Sequence, residues 1–214
     1  MILITISAII VPLIPARAET VQEGIINCDR DTYVAEYYPT TNYGNVTVLI
    51  AGYIASTYLE TYLHFNLAGR PAQFDRAYLS FETDYPTGNM TVWRSADGWT
   101  EDGMAWVNRT SKITTLGYIL GASTATRTFD LTSWMTLAEI TICFSQDGTI
   151  GQYMYTNSRE SATPPKIVFE RDIEPGSVGI DTIFMSVMII ASLVIGIIAV
   201  IAHSRHRSRW ISFC

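Results

Sequence analysis

Tyr37, Tyr38 and Tyr43 cluster around an Asn42-Tyr-Gly44 turn, and Trp93, Trp99 and Trp106 follow further along the chain. Flat aromatic faces of this kind stack on the C–H face of a sugar ring, while planar polar side chains meet its hydroxyls. Trp93 alternates outward from Val92, whereas Trp99 and Trp106 fall in a loop-rich stretch. Those two either line a shallow site or pin their loop to the core. Arg159, next to Glu160, is the remaining candidate. A guanidinium there either holds a carboxylate bidentately or ties the last hairpin to its neighbour.

Catalytic chemistry finds much less support. His64 is the one histidine between residues 19 and 181, and it adjoins an apolar Phe in a strand-like run. No Gly-x-Ser-x-Gly elbow, His-rich metal motif or phosphate-cradling glycine loop occurs. Glu101 and Asp102 are adjacent in sequence, which says little about their geometry in a paired-carboxylate site. The expectation is a non-enzymatic protein without a cofactor. Asp29 and Asp31 offer hard oxygens for a structural calcium ion, although no EF-hand loop is present.

The flanks suggest where such a domain works. Residues 183–202 carry no charge over twenty positions, and Arg205, Arg207 and Arg209 follow at once. Twenty helical residues at about 1.5 Å each span the roughly 30 Å core of a bilayer. Asp172, Glu174 and Asp181 precede the run, so the positive-inside rule puts residues 203–214 in the cytoplasm as a short basic tail. Residues 1–18 are apolar and end in Ala16-Arg17-Ala18, the small-x-small form of a cleavage site, but lack a basic start. A cleaved signal peptide or an uncleaved anchor fits. With cleavage, the expectation is a type I cell-membrane protein: an outer domain over 19–171, a linker over 172–182 and a single transmembrane helix over 183–202.

All twenty acidic residues lie between Glu19 and Asp181, against ten basic ones, leaving about −10 on the outer part. Such a surface repels nucleic acid, although a local basic patch can override the average. Asn45, Asn89 and Asn108 each open an Asn-x-Thr sequon, as expected of a glycosylated exported surface. Cys28 and Cys143 either form one extracellular disulfide or remain two unpaired thiols. Ser192 and Gly196 form a small-xxx-small spacing, a weak dimerisation cue.

Period-two alternation predicts strands. Leu63, Phe65 and Leu67 oppose Tyr62, His64 and Asn66; Ala77, Leu79 and Phe81 repeat the pattern, as do Ile140, Ile142 and Phe144. Turn signals such as Gly69-Arg-Pro71, Asp97-Gly98 and Pro164-Pro165 punctuate these runs. Eight to ten strands then make an all-β antiparallel sandwich of the jelly-roll kind, with a closed barrel as runner-up. Glu101 to Leu120 has weak strand character and is expected to run over one end of the sandwich.

Several of these pieces together resemble the DNRLRE domain, also described as family 96 of the carbohydrate-binding modules. They are Asp31-Thr-Tyr-Val34, Pro39-Thr-Thr-Asn-Tyr-Gly44, Tyr62-Leu-His-Phe-Asn-Leu67 and Arg76-Ala-Tyr-Leu79, followed by Trp99-Thr-Glu101 with Met104-Ala-Trp-Val-Asn108. Phe129-Asp-Leu-Thr132, Asn157-Ser-Arg-Glu160 and Pro164-Pro-Lys-Ile-Val168 complete the series. Ala105 stands where the family usually has Thr, and Arg109 and Thr110 stand where Pro is common. The resemblance implies an extracellular β-sandwich that binds polysaccharide or glycoconjugate. The alternative expectation is a structural envelope protein that packs with itself or with other surface proteins.

Overall fold

The computed structural model describes residues 19–84, 88–121, 125–146 and 151–173. The expected signal peptide, most of the linker, the transmembrane helix and the basic tail lie outside them. Among the described residues no helix is long and apolar enough to cross a membrane.

Among the described residues, alternating apolar side chains produce eleven strands, one more than the expected eight to ten allow. These are β1 (Glu19–Asn27), β2 (Arg30–Ala35), β3 (Val48–Ile54), β4 (Thr57–Asn66), β5 (Arg76–Asp84), β6 (Met90–Ser95), β7 (Lys112–Ile119), β8 (Ala125–Asp130), β9 (Glu139–Ser145), β10 (Tyr153–Asn157) and β11 (Lys166–Ile173). Helical structure among the described residues amounts to 3-10 turns, such as Glu101–Gly103 and Trp106–Asn108. The hydrogen-bonded path runs β1-β11-β5-β10-β3-β4-β9-β6-β7, with β2 on the other side of β4 and β8 beside β5. The pairs formed among β2 to β11 are antiparallel.

The sheet curls so that its apolar faces meet, as in a β-sandwich. Phe81 on β5 and Phe144 on β9 approach to 5.1 Å between ring centroids across the shared core. Leu63, Phe65, Leu79, Ile140, Ile142, Ile167 and Phe169 fill the same interior. Each fully buried side chain of this size contributes about 1.5–3 kcal/mol by leaving water.

The opposite face of β4 is covered too. Tyr62 packs with Val34, Cys143, Trp99 and Met104 in a second apolar cluster. Its cover is the segment 96–111, which therefore lies over the outer face of β4 and not over an end of the sandwich. The expected excursion was also too long, because Lys112–Ile119 forms β7 against β6. Two register irregularities, at Val92/Trp93 and Arg94/Ser95, shift that pairing. They break the period-two pattern by which β7 would otherwise have been read.

Candidate functional site

The turn after β2 is fixed by its backbone. Glu36 donates to the Tyr58 carbonyl, Tyr37 to Thr57 Oγ1 and Tyr38 back to the Ala35 carbonyl. With the main chain held, the side chains point outward: Tyr37 is 71% and Tyr38 54% exposed. Their rings meet edge to face at 5.0 Å. The next residue, Pro39, accepts a hydrogen bond from the Val107 N–H at 3.0 Å. That bond joins the tyrosine turn to the segment covering β4.

On that segment the Arg109 guanidinium lies 3.9 Å over the Trp106 ring. Arg109 Nε reaches Glu60 Oε2 at 3.2 Å, and Lys112 Nζ reaches Glu60 Oε1 at 2.7 Å. Glu60 is nearly buried on β4 and also accepts from the Tyr62 hydroxyl at 2.6 Å. Burial, with Cys143 and Glu60 nearby, pushes the Tyr62 phenol well above its usual range, so it remains a neutral donor. Lys112 also bonds Ser145 Oγ at 2.9 Å and sits 5.4 Å from the Trp93 ring, whose indole N–H bonds the same hydroxyl. Glu60, Val107, Arg109, Thr110, Ser111 and Lys112 line an open groove of about 270 Å³.

These contacts connect exposed Tyr37 and Tyr38 with Trp106 and Trp93, both half-buried against the Tyr62 cluster, in one strip, and leave Trp99, Tyr43 and Arg159 out of it. Trp99, on the inner side of the segment, is 7% exposed and donates its indole N–H to Thr141 Oγ1. Tyr43 is half-buried and stacked on Tyr33 at 4.2 Å; burial raises its phenol pKa. Glu60, Arg109 and Lys112 were not singled out by the sequence as site residues. Their available signal was a pair of cations three apart, just after Trp106 in a strongly acidic domain.

Arg159 belongs to a separate polar hub. Its backbone N–H donates to Asp31 Oδ2 at 2.6 Å, while its guanidinium contacts Glu160 Oε1 at 2.6 Å, Glu101 Oε2 at 2.8 Å and the Asp29 carbonyl. Glu101 Oε1 accepts from the Asp31 N–H at 3.1 Å. Asn42 secures the other side through its amide, which donates to the Glu101 and Met104 carbonyls. Burial, offset in part by the Arg159 N–H, pushes the Asp31 carboxyl up to about 7. Burial likewise raises Glu101.

His64 is buried between Asp29 Oδ1 at 2.7 Å and Glu139 Oε2 at 3.1 Å, with Arg30 Nη2 also against Nε2. These contacts tie β2 and β9 to β4. Cys28 and Cys143 are free, buried thiols, which corrects the disulfide expectation. They sit in different clusters, one in the main core and the other on the outer face of β4. The expectation rested on the redox compartment and took no account of geometry. Asn45, Asn89 and Asn108 are exposed, and Asn108 also bonds the Ala105 N–H and the Gly103 carbonyl.

A family model described as carbohydrate-binding module family 96 matches residues 25–171. No curated protein matches the chain.

Proposed function

The chain belongs to carbohydrate-binding module family 96, and from that premise we propose that it binds a glycan, without catalysis, along the strip from Tyr37 to Trp93. The observation that carries this reading is the exposed Tyr37–Tyr38 pair, joined through Pro39 and Val107 to the Arg109–Glu60–Lys112 groove. The tyrosine faces stack on pyranose C–H surfaces, and the groove supplies charged donors to hydroxyl or carboxylate groups. Glu60 neutralises one of the two cations, so the strip keeps a local positive charge within an acidic domain.

The fold reading is extended in the same way to a jelly-roll sandwich on a single transmembrane helix over 183–202, with the domain outside the cell and glycosylated at its sequons. A linker of eleven residues, 172–182, holds the domain close to its own membrane, which suits adhesion to nearby surface polymer. The test is a polysaccharide panel applied to the detergent-purified chain. Saturable binding to at least one glycan, lost in a Tyr37→Ala/Tyr38→Ala double variant, supports the reading. A folded protein that retains no member of the panel contradicts it.

A second reading has its own observation. β7 ends the hydrogen-bonded path, and Ile113, Tyr118 and Leu120 on or beside it are exposed. An apolar edge strand is a pairing surface, which suits an envelope protein that packs with a second copy. This version requires oligomers in detergent that Ile113→Lys disperses; a monomeric wild-type chain rules it out.

A further inference from the structure

Three carboxylates from separate parts of the chain converge at the polar hub around Arg159. Asp31 lies on β2, Glu101 in a 3-10 turn of the covering segment, and Glu160 in the turn after β10. One carboxylate oxygen from each lies within 4.8 Å of the other two. A single ion holding oxygens at about 2.4 Å reaches ligands separated by up to twice that distance.

Clustered acids are common without an ion, so the case turns on Asp31. Its side chain is fully buried, and Oδ1 has no hydrogen-bond partner, although Oδ2 is held by the Arg159 N–H. A buried carboxylate oxygen left unpaired carries its full desolvation penalty. Something must answer that charge. Arg159 already spends its side chain on Glu160, Glu101 and the Asp29 carbonyl. With all three carboxylates ionised against one guanidinium, the hub carries −2, the complement of a divalent cation.

We propose that Asp31, Glu101 and Glu160 form a calcium-type cation site that fastens the covering segment 96–111 to β2 and to the turn at Glu160. The donor set is all oxygen, which selects a hard ion and disfavours zinc or copper. Three carboxylates also fall short of the six to eight oxygens that calcium takes, so water completes the shell. The neighbouring contacts hold Glu101 in place for this role. Asn42 clamps its carbonyl, and a Cβ on Gly44 would come within 2.6 Å of its Cγ, so the turn can lie against Glu101 only with glycine there. The site does not rest on the glycan reading, because it shares no side chain with the strip.

The test uses the full chain purified in detergent and stripped with a chelator. Titration with CaCl2 is followed by calorimetry, and the melting temperature is recorded with and without the ion. One bound equivalent is expected, with Tm higher by about 5–10 °C at a hundredfold excess over Kd. Glu160→Gln, a change at a partly exposed side chain, weakens calcium binding at least about tenfold, the loss of one charged ligand being worth that much or more. Asp31→Asn abolishes it. No heat and no Tm shift with millimolar calcium overturns the proposal. So does a shift that survives in both variants, which would place the ion elsewhere. A chain indifferent to calcium whose Asp31→Asn variant melts higher than wild type also overturns it, showing that a proton is what answers the buried charge.

Discussion

The Val107 N–H donates to the Pro39 carbonyl across 3.0 Å, joining two stretches of chain separated by almost seventy residues. One carries the exposed Tyr37 and Tyr38, and the other carries Trp106 and Arg109. Neither stretch belongs to the sheet, so the strip depends on contacts that hold loops onto strands.

Glu60 is the first of those contacts to test. Glu60→Gln removes the charge that Arg109 and Lys112 share but keeps an acceptor for Tyr62. Both cations are partly solvated, so the expected loss is about 1–3 kcal/mol, short of that for a fully buried pair. Urea denaturation at neutral pH measures it. A change below about 0.5 kcal/mol would mean that the groove is not held by its carboxylate.

Gly44 tests the grip on Glu101. In Gly44→Ala the new Cβ meets Glu101 Cγ, which must move. Overpacking of this kind costs about 1–3 kcal/mol. A Tm equal to wild type would show that the turn yields freely.

Asp31 predicts a pH dependence with a definite sign. Its folded pKa of about 7 lies above the ordinary 3.8. Between those values the native state holds more protons than the unfolded one, so this group's contribution is greatest at low pH and is lost as pH rises toward and through 7. The full swing is on the order of 4 kcal/mol. Other carboxylates superimpose their own slopes, so the readout is the difference between wild type and Asp31→Asn, measured in chelator. Parallel profiles from pH 4 to 8 would count against a raised Asp31.

Cys28 and Cys143 give a covalent check. Burial raises both thiols, with Asp31 contributing at Cys28, so neither forms a reactive thiolate at neutral pH. A thiol reagent applied to native protein leaves both unmodified, and the same reagent in denaturant labels both without prior reduction. A mass two protons lighter before reduction would restore the disulfide.

The sequence disclosed the parts of the fold governed by short-range periodicity. Leu63-Phe65-Leu67 and Ile140-Ile142-Phe144 alternate without interruption, and both lie where that pattern puts them. β7 was hidden because its register irregularities place successive apolar residues out of step. Burial of Tyr62 and His64 on the other face of β4 was equally hidden, since it depends on a segment thirty to fifty residues away folding back over them. The candidate site divides the same way. Local turn chemistry around Asn42-Tyr-Gly44 suggests exposure for Tyr37, Tyr38 and Tyr43; the first two are exposed, but Tyr43 is half-buried against Tyr33, a partner the turn does not reveal. Glu60, Arg109 and Lys112 become partners only through tertiary packing, and no spacing encodes that.

The most direct test of the account is calorimetric titration of the panel's best glycan into the full chain, alongside Tyr37→Ala and Arg109→Ala. Each truncation is predicted to weaken binding at least about tenfold, roughly 1.4 kcal/mol, as for a central contact residue. Tyr37→Ala should leave Tm unchanged, since its ring is mostly in solvent. Undiminished affinity in both variants would contradict the account and move the glycan site off this strip.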